Sequence, residues 1–115
     1  MILSKLFGRS SGSGASDVIG YDDLRAAMQS GDCALVDVRE PAEFRQGHVP
    51  GSQNMPLSRF NASELPRDQK IVLICRSGAR SDAALRAARQ AGLSDISHFN
   101  GGVMLWQSLG GPIRQ

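Results

Sequence analysis

Seven residues, CRSGARS at positions 75–81, hold the types and spacing that could do chemistry. A cysteine stands directly after the apolar run KIVLI, two arginines flank a glycine, and a helical pattern follows. Ligands of open α/β sheets bind at the carboxyl ends of strands, where Cys75 is expected to lie. The loop would turn into a helix whose first amides have no intrahelical partner, which makes a cup for an anion. Gly78 lets the backbone curl tightly, and Arg76 and Arg80 add formal charge. A thiol in such a cup ionises more readily than free cysteine, and the thiolate is a nucleophile.

Loop length narrows the chemistry. Cysteine-dependent phosphatases space cysteine and arginine as C-x5-R, wide enough for a tetrahedral phosphate. Cys75 to Arg80 is C-x4-R, one residue shorter. A tighter ring suits one extra sulfur atom on the cysteine, a persulfide, held by the loop amides. The other cysteine, Cys33, begins an apolar stretch without a glycine loop and reads as structural.

The elements that must position this loop are legible in the hydrophobic pattern. Residues 18–19 suggest a short strand. YDDLRAAMQSG, 21–31, reads as a helix with Leu24, Ala27 and Met28 on one face. CALVDV, 33–38, reads as a strand, and PAEFRQG as a short helix with Pro41 in its first turn. Residues 52–55 suggest a brief strand inside a turn-rich connection. KIVLIC, 70–75, is apolar without alternation, as expected for a strand covered on both faces. SDAALRAARQAG, 81–92, reads as a helix with Asp82 and Arg86 as an i,i+4 pair. A last short strand at 96–99 and a short glycine-bounded helix follow. Strands and helices alternating at this spacing predict an α/β domain with a mainly parallel sheet.

Composition sets bounds. The chain has 115 residues, enough for one domain and one core. Its net charge of +2, with no basic block, does not argue for nucleic acid. Eleven of the 13 cations are arginine, which suits bidentate recognition of oxyanions. Two cysteines make no disulfide framework, and His48 and His98 look remote from both, so no metal site is expected. No apolar stretch approaches the ~20 residues that span a bilayer. MILSKLF makes a poor signal peptide, so a reducing cytoplasm is the expected location. Residues 1–16, rich in Gly and Ser after that start, are read as a flexible N-terminal segment or a weak docking arm. The folded domain is placed at 17–115.

The chain resembles a single-domain rhodanese, a sulfurtransferase of the thiosulfate type. The resemblance rests on LVDVREPAEFRQGHVPGSQNMPL, IVLICRSGARSDAALRAARQAG and HFNGGVMLW, in the family's order, and spans residues 17–111. It implies a three-layer fold with a five-stranded, mainly parallel sheet flanked by helices. It implies that Cys75 is catalytic and that Arg76, Ser77, Gly78, Ala79 and Arg80 bind substrate. Arginine after the cysteine is similar to thiosulfate-preferring members, whereas mercaptopyruvate-preferring members carry glycine there. Asp37 and Arg39 match an acid and an arginine near the site mouth, His48 matches a structural turn, and Trp106 matches a wall residue. Gly20 stands where the family often has a Ser or Thr helix cap. The implied donor is a small sulfur anion and the implied acceptor is cyanide or a thiol, a protein thiol included. No cofactor is implied. A sulfur-carrier or regulatory module acting on a protein partner is the alternative, and phosphatase or arsenate reductase chemistry is disfavoured by the short loop.

Overall fold

A computed structural model describes residues 17–115, so the segment 1–16 and its docking-arm reading lie outside the described residues. The elements run α1 (Tyr21–Ser30), β1 (Cys33–Asp37), α2 (Pro41–Gln46), β2 (Gln53–Asn54), β3 (Lys70–Ile74), α3 (Ala79–Gln90), β4 (Ile96–His98) and α4 (Gly102–Ser108). Two 3-10 turns, Leu57–Arg59 and Ala62–Glu64, lie between β2 and β3.

The strands form one sheet in the order β2-β1-β3-β4, and every pairing is parallel. The sheet thus has four strands where five were expected. The chain at 18–19 does reach the β4 edge: Val18 bridges His98 in parallel, and Ile19 N donates to His98 O at 3.1 Å. On its C-terminal side α1 takes over at Tyr21, so within the described residues the contact is an isolated bridge. The α1 N-cap, Gly20, makes no side-chain cap bond.

Residues along β3 alternate between two apolar layers. Ile71 and Leu73, with Val36 and Val38, pack against Ala84, Leu85 and Ala88 of α3. Val72 and Ile74, with Leu35, pack against Leu24 of α1 and Val103 and Trp106 of α4. Burial of each such aliphatic side chain stabilises the fold by roughly 1.5–3 kcal/mol, before the cost of ordering the chain. Cover on both faces explains why KIVLI shows no polar alternation. The sheet centre, β1 and β3, is therefore covered on both faces, and Cys75 directly follows β3. Among the described residues no helix is long and apolar enough to cross a membrane.

Candidate active site

Cys75 closes the last turn of extended chain and is 1% exposed. Beyond it the backbone curls through Arg76 and Ser77 to Gly78, whose φ of 117° only glycine adopts easily. A Cβ at Gly78 would also meet the Asn100 side chain. Helix α3 starts at Ala79, two residues earlier than its sequence pattern suggested, so Ala79 and Arg80 belong to its first turn.

The loop carbonyls are drawn away from the sulfur by α4. Val103 N donates to Cys75 O at 2.8 Å, and Met104 N donates to Arg76 O at 3.1 Å. That approach needs Gly102, since a Cβ there would strike Cys75 O and the Arg76 backbone. With the carbonyls turned outward, amides face inward, and Gly78 N donates to Cys75 Sγ at 3.1 Å. Ser81, fully buried in α3, places Oγ 3.5 Å from the same sulfur.

Burial pushes the Cys75 thiol pKa up, but hydrogen bonds outweigh it. The Ser81 hydroxyl and the backbone amides of Ser81, Gly78 and Ser77 stabilise the thiolate, so the net pKa is below the ordinary value. The lowering comes from oriented hydrogen bonds of loop and helix.

The two arginines are divided. Arg76 is exposed and makes no side-chain hydrogen bond or ion pair with the described residues. It lines a cavity of about 240 Å³ with Arg39, Glu43, Gln46, Gln107 and Ile113. Arg80, expected to face a substrate anion, already has a carboxylate partner. Its Nη1 and Nη2 donate to Glu43 Oε1 and Oε2 at 2.6 and 2.9 Å. Glu43 Oε1 also accepts from Glu40 N at 3.0 Å, closing a capping box at the start of α2. The Arg80 hydrogen bond, above all, lowers the Glu43 pKa to about 2, and Glu43 in turn raises that of Arg80. Helix α2 is thereby braced against the first turn of α3, beside the cysteine loop.

The expected supporting residues lie deeper. Asp37 and Arg39 form a buried fork, with Arg39 Nη2 2.8 Å from Asp37 Oδ2 and the same nitrogen donating to Gly47 O at 2.8 Å. This pair ties the end of β1 to the chain leaving α2. His48 has Nδ1 2.8 Å from Phe44 O and stacks on the Phe44 ring. Trp106 is 1% exposed, meets Tyr21 and Phe99, and donates Nε1–H to Pro112 O at 2.8 Å. It packs the core behind the α4 contact, and its edge lines a cavity of about 240 Å³ with Arg25, Met28, Val49 and Pro112 rather than the one beside Arg76.

Three residues at the site were not singled out by sequence reasoning: Glu43, Ser81 and His98. Glu43 carried a signal, since a carboxylate three residues after Glu40 suits a capping box, but its reach to Arg80 spans 37 residues. Ser81 looked like an ordinary helix start. His98, remote from both cysteines along the chain, is not remote from Cys75 in the fold: parallel pairing of β3 with β4 sets His98 Nδ1 2.8 Å from Ser81 Oγ, one residue away from Cys75 Sγ.

Comparisons with known proteins agree with this architecture. The profile of the Rhodanese-like domain matches residues 21–109. The protein named "Probable adenylyltransferase/sulfurtransferase MoeZ" of Mycobacterium tuberculosis is 43% identical over 89 residues, 73% of this chain, which spans only 23% of that protein's length. A protein named sulfurtransferase from Allochromatium vinosum is 40% identical over 84 residues, covering 71% of this chain and 78% of its own. The crystal structure of a rhodanese-related protein from Thermoplasma volcanium superposes with a TM-score of 0.77 at 35% identity, over 85% of this chain and 97% of that one. The parallel sheet, the cysteine loop at its carboxyl edge and the matched sequence therefore have one source: the chain belongs to the rhodanese-like domain family.

Proposed function

We propose that this domain is a sulfurtransferase that carries sulfane sulfur as a persulfide on Cys75. The observation that carries the reading is the Cys75 sulfur itself: buried, yet met by the Gly78 amide and the Ser81 hydroxyl, with its pKa lowered. In the first step the Cys75 thiolate attacks the outer sulfur of thiosulfate. A bond forms between Sγ and that sulfur, the bond to the sulfonate sulfur breaks, and its electron pair leaves with sulfite. In the second step cyanide or an acceptor thiolate attacks the terminal sulfur. The persulfide bond breaks, Cys75 departs as thiolate, and the product is thiocyanate or an acceptor persulfide. No cofactor enters either step.

Arg76, beside the 240 Å³ cavity, is the cation best placed to meet the donor's sulfonate. Arg80, held by Glu43, acts mainly as a brace for the loop. Loop residues Ser77, Gly78 and Ala79 surround the terminal sulfur with amides. A free catalytic thiol calls for a reducing compartment, consistent with the cytoplasm. We take 17–115 as one domain, because His48 pairs with Arg114 beyond the profile's end.

A sulfur-carrier role with a protein acceptor is the second reading. Met104 and Leu105 stand exposed on α4 next to the loop, an apolar surface on which a partner could rest. The relative from M. tuberculosis bears both adenylyltransferase and sulfurtransferase in its name, and this chain matches only a quarter of it. Intact mass after incubation with thiosulfate tests the central claim. A gain of one sulfur atom, lost on adding cyanide, is expected. No gain in the folded protein overturns it.

A further inference from the structure

Ser81 has one hydroxyl proton and three close neighbours. Its Oγ lies 3.5 Å from Cys75 Sγ, 3.1 Å from Gly78 O and 2.8 Å from His98 Nδ1. A carbonyl oxygen only accepts, and so does a thiolate. When Cys75 is ionised, both therefore compete for the Ser81 proton. If Ser81 instead gave its proton to His98, its oxygen lone pairs would face an anionic sulfur in a buried site, which is unfavourable. The shortest of the three contacts then has to run the other way, with His98 Nδ1–H donating to Ser81 Oγ.

His98 sits where this direction can be held. It is 4% exposed at the end of β4, and its backbone is tied to Ile19. Burial lowers its pKa, against Asp82 of α3 and Asp17, which raise it, so the ring is neutral at neutral pH. Asp17 is itself paired with Arg89 of α3, which also donates to Ile96 O. Among the described residues no side chain bonds His98 Nε2.

We propose that His98 is a positioning residue for Cys75, acting through Ser81: its Nδ1–H holds Ser81 Oγ so that the serine proton points at the sulfur whenever the sulfur carries charge. The role rests on the persulfide reading of Cys75. It serves both steps, because the sulfur is an anionic nucleophile in the first and an anionic leaving group in the second. The loop amides are then left to hold the terminal sulfur in between. The proton lost when Cys75 ionises goes to solvent, and His98 stays neutral with its proton on Nδ1 while the sulfur is charged.

The test uses two measurements that need no sulfur donor, so failure of persulfide chemistry and failure of this device give different results. The first is the ring-nitrogen NMR of His98 in the unmodified protein above the Cys75 ionisation midpoint. Protonated Nδ1 and bare Nε2 are expected, and an Nε2–H tautomer in the thiolate form overturns the proposal. The second is the pH profile of Cys75 alkylation in a Cys33→Ser background. Below the midpoint, Ser81→Ala should cut the thiolate fraction about tenfold, as expected for a lost hydrogen bond to a charged group. His98→Leu should cut it about threefold, and His98→Asn, which keeps an N–H donor, should restore most of the loss. In Ser81→Ala, adding His98→Leu should change nothing more, because the coupling runs through the serine. An equal effect of His98→Leu with and without Ser81, or no effect in folded protein, overturns it. The NMR result stands even where a variant fails to fold.

Discussion

Two thiols stand at opposite ends of neighbouring parallel strands. Cys33 opens β1 and pairs across to Lys70, while Cys75 follows the end of β3. Burial raises the pKa of both. For Cys33 burial wins: Lys70 lowers the value, Asp32 raises it, and the net is up. For Cys75 the net is down, because Ser81 and backbone amides donate to the sulfur. The difference comes from polarity of the fold. At the carboxyl edge of a parallel sheet, strands run into helix N-termini and unpaired amides; at the amino edge they do not. The two thiols differ by which donors point at the sulfur, the Ser81 hydroxyl first and peptide amides after it, more than by how deeply each is buried.

The largest test of that contrast is removal of each sulfur. Cys75→Ser should abolish sulfur uptake from thiosulfate with the fold intact, since a hydroxyl is far less acidic than a thiol. Cys33→Ser should keep most of the activity. Intact mass and steady-state rates check both, and the reverse pattern would reassign the site.

Next comes the device that turns the carbonyls outward. Gly102→Ala puts a methyl group against Cys75 O and the Arg76 backbone, at a φ of 64°. The loop must shift, and the amides with it. Alkylation of Cys75 should then titrate higher, towards the behaviour of Cys33, with thermal stability lowered by roughly 1–3 kcal/mol. An unchanged alkylation midpoint would show that α4 does not set the loop.

A smaller effect separates the two arginines. Arg76→Gly should raise the thiosulfate KM about tenfold, the scale of one charge-assisted hydrogen bond. Glu43→Gln frees Arg80 and removes an anion near the donor, so KM should fall by about twofold, the scale of a half-exposed ion pair. If Arg76→Gly is silent and Arg80→Ala alone raises KM, the brace and the donor cation have been exchanged.

The smallest concerns acid. Glu43 has a folded pKa of about 2, below its unfolded value of ~4.3. A depressed carboxyl contributes stability that is present above the unfolded pKa and lost as pH falls through the folded one. The Glu43–Arg80 brace should therefore weaken between about pH 4.5 and 2. Thermal unfolding across that range should be less steep in Glu43→Gln, and an identical slope would deny the brace any net worth.

Much of this was readable along the chain. Alternating strands and helices, the covered run at β3, the helices around Tyr21–Ser30 and Ala79–Gln90 and the cysteine loop are local patterns, set by side-chain periodicity and glycine placement. The chain itself therefore determined the fold class, and its glycine loop set Cys75 apart from Cys33 as the proposed site. Tertiary structure decided the rest. Whether residues 18–19 made a fifth strand depended on pairing with β4, which within the described residues reaches only the Val18–His98 bridge before α1 begins. Arg76 and Arg80 look alike in CRSGARS, and only the packing of α2 gave one of them a carboxylate. His98 became a neighbour of the loop through strand register, which brings Leu73 opposite it. Hydrogen bonds of a few ångströms between residues 17 or 37 positions apart leave no local trace, because they are fixed by how layers stack and not by any repeat in the chain.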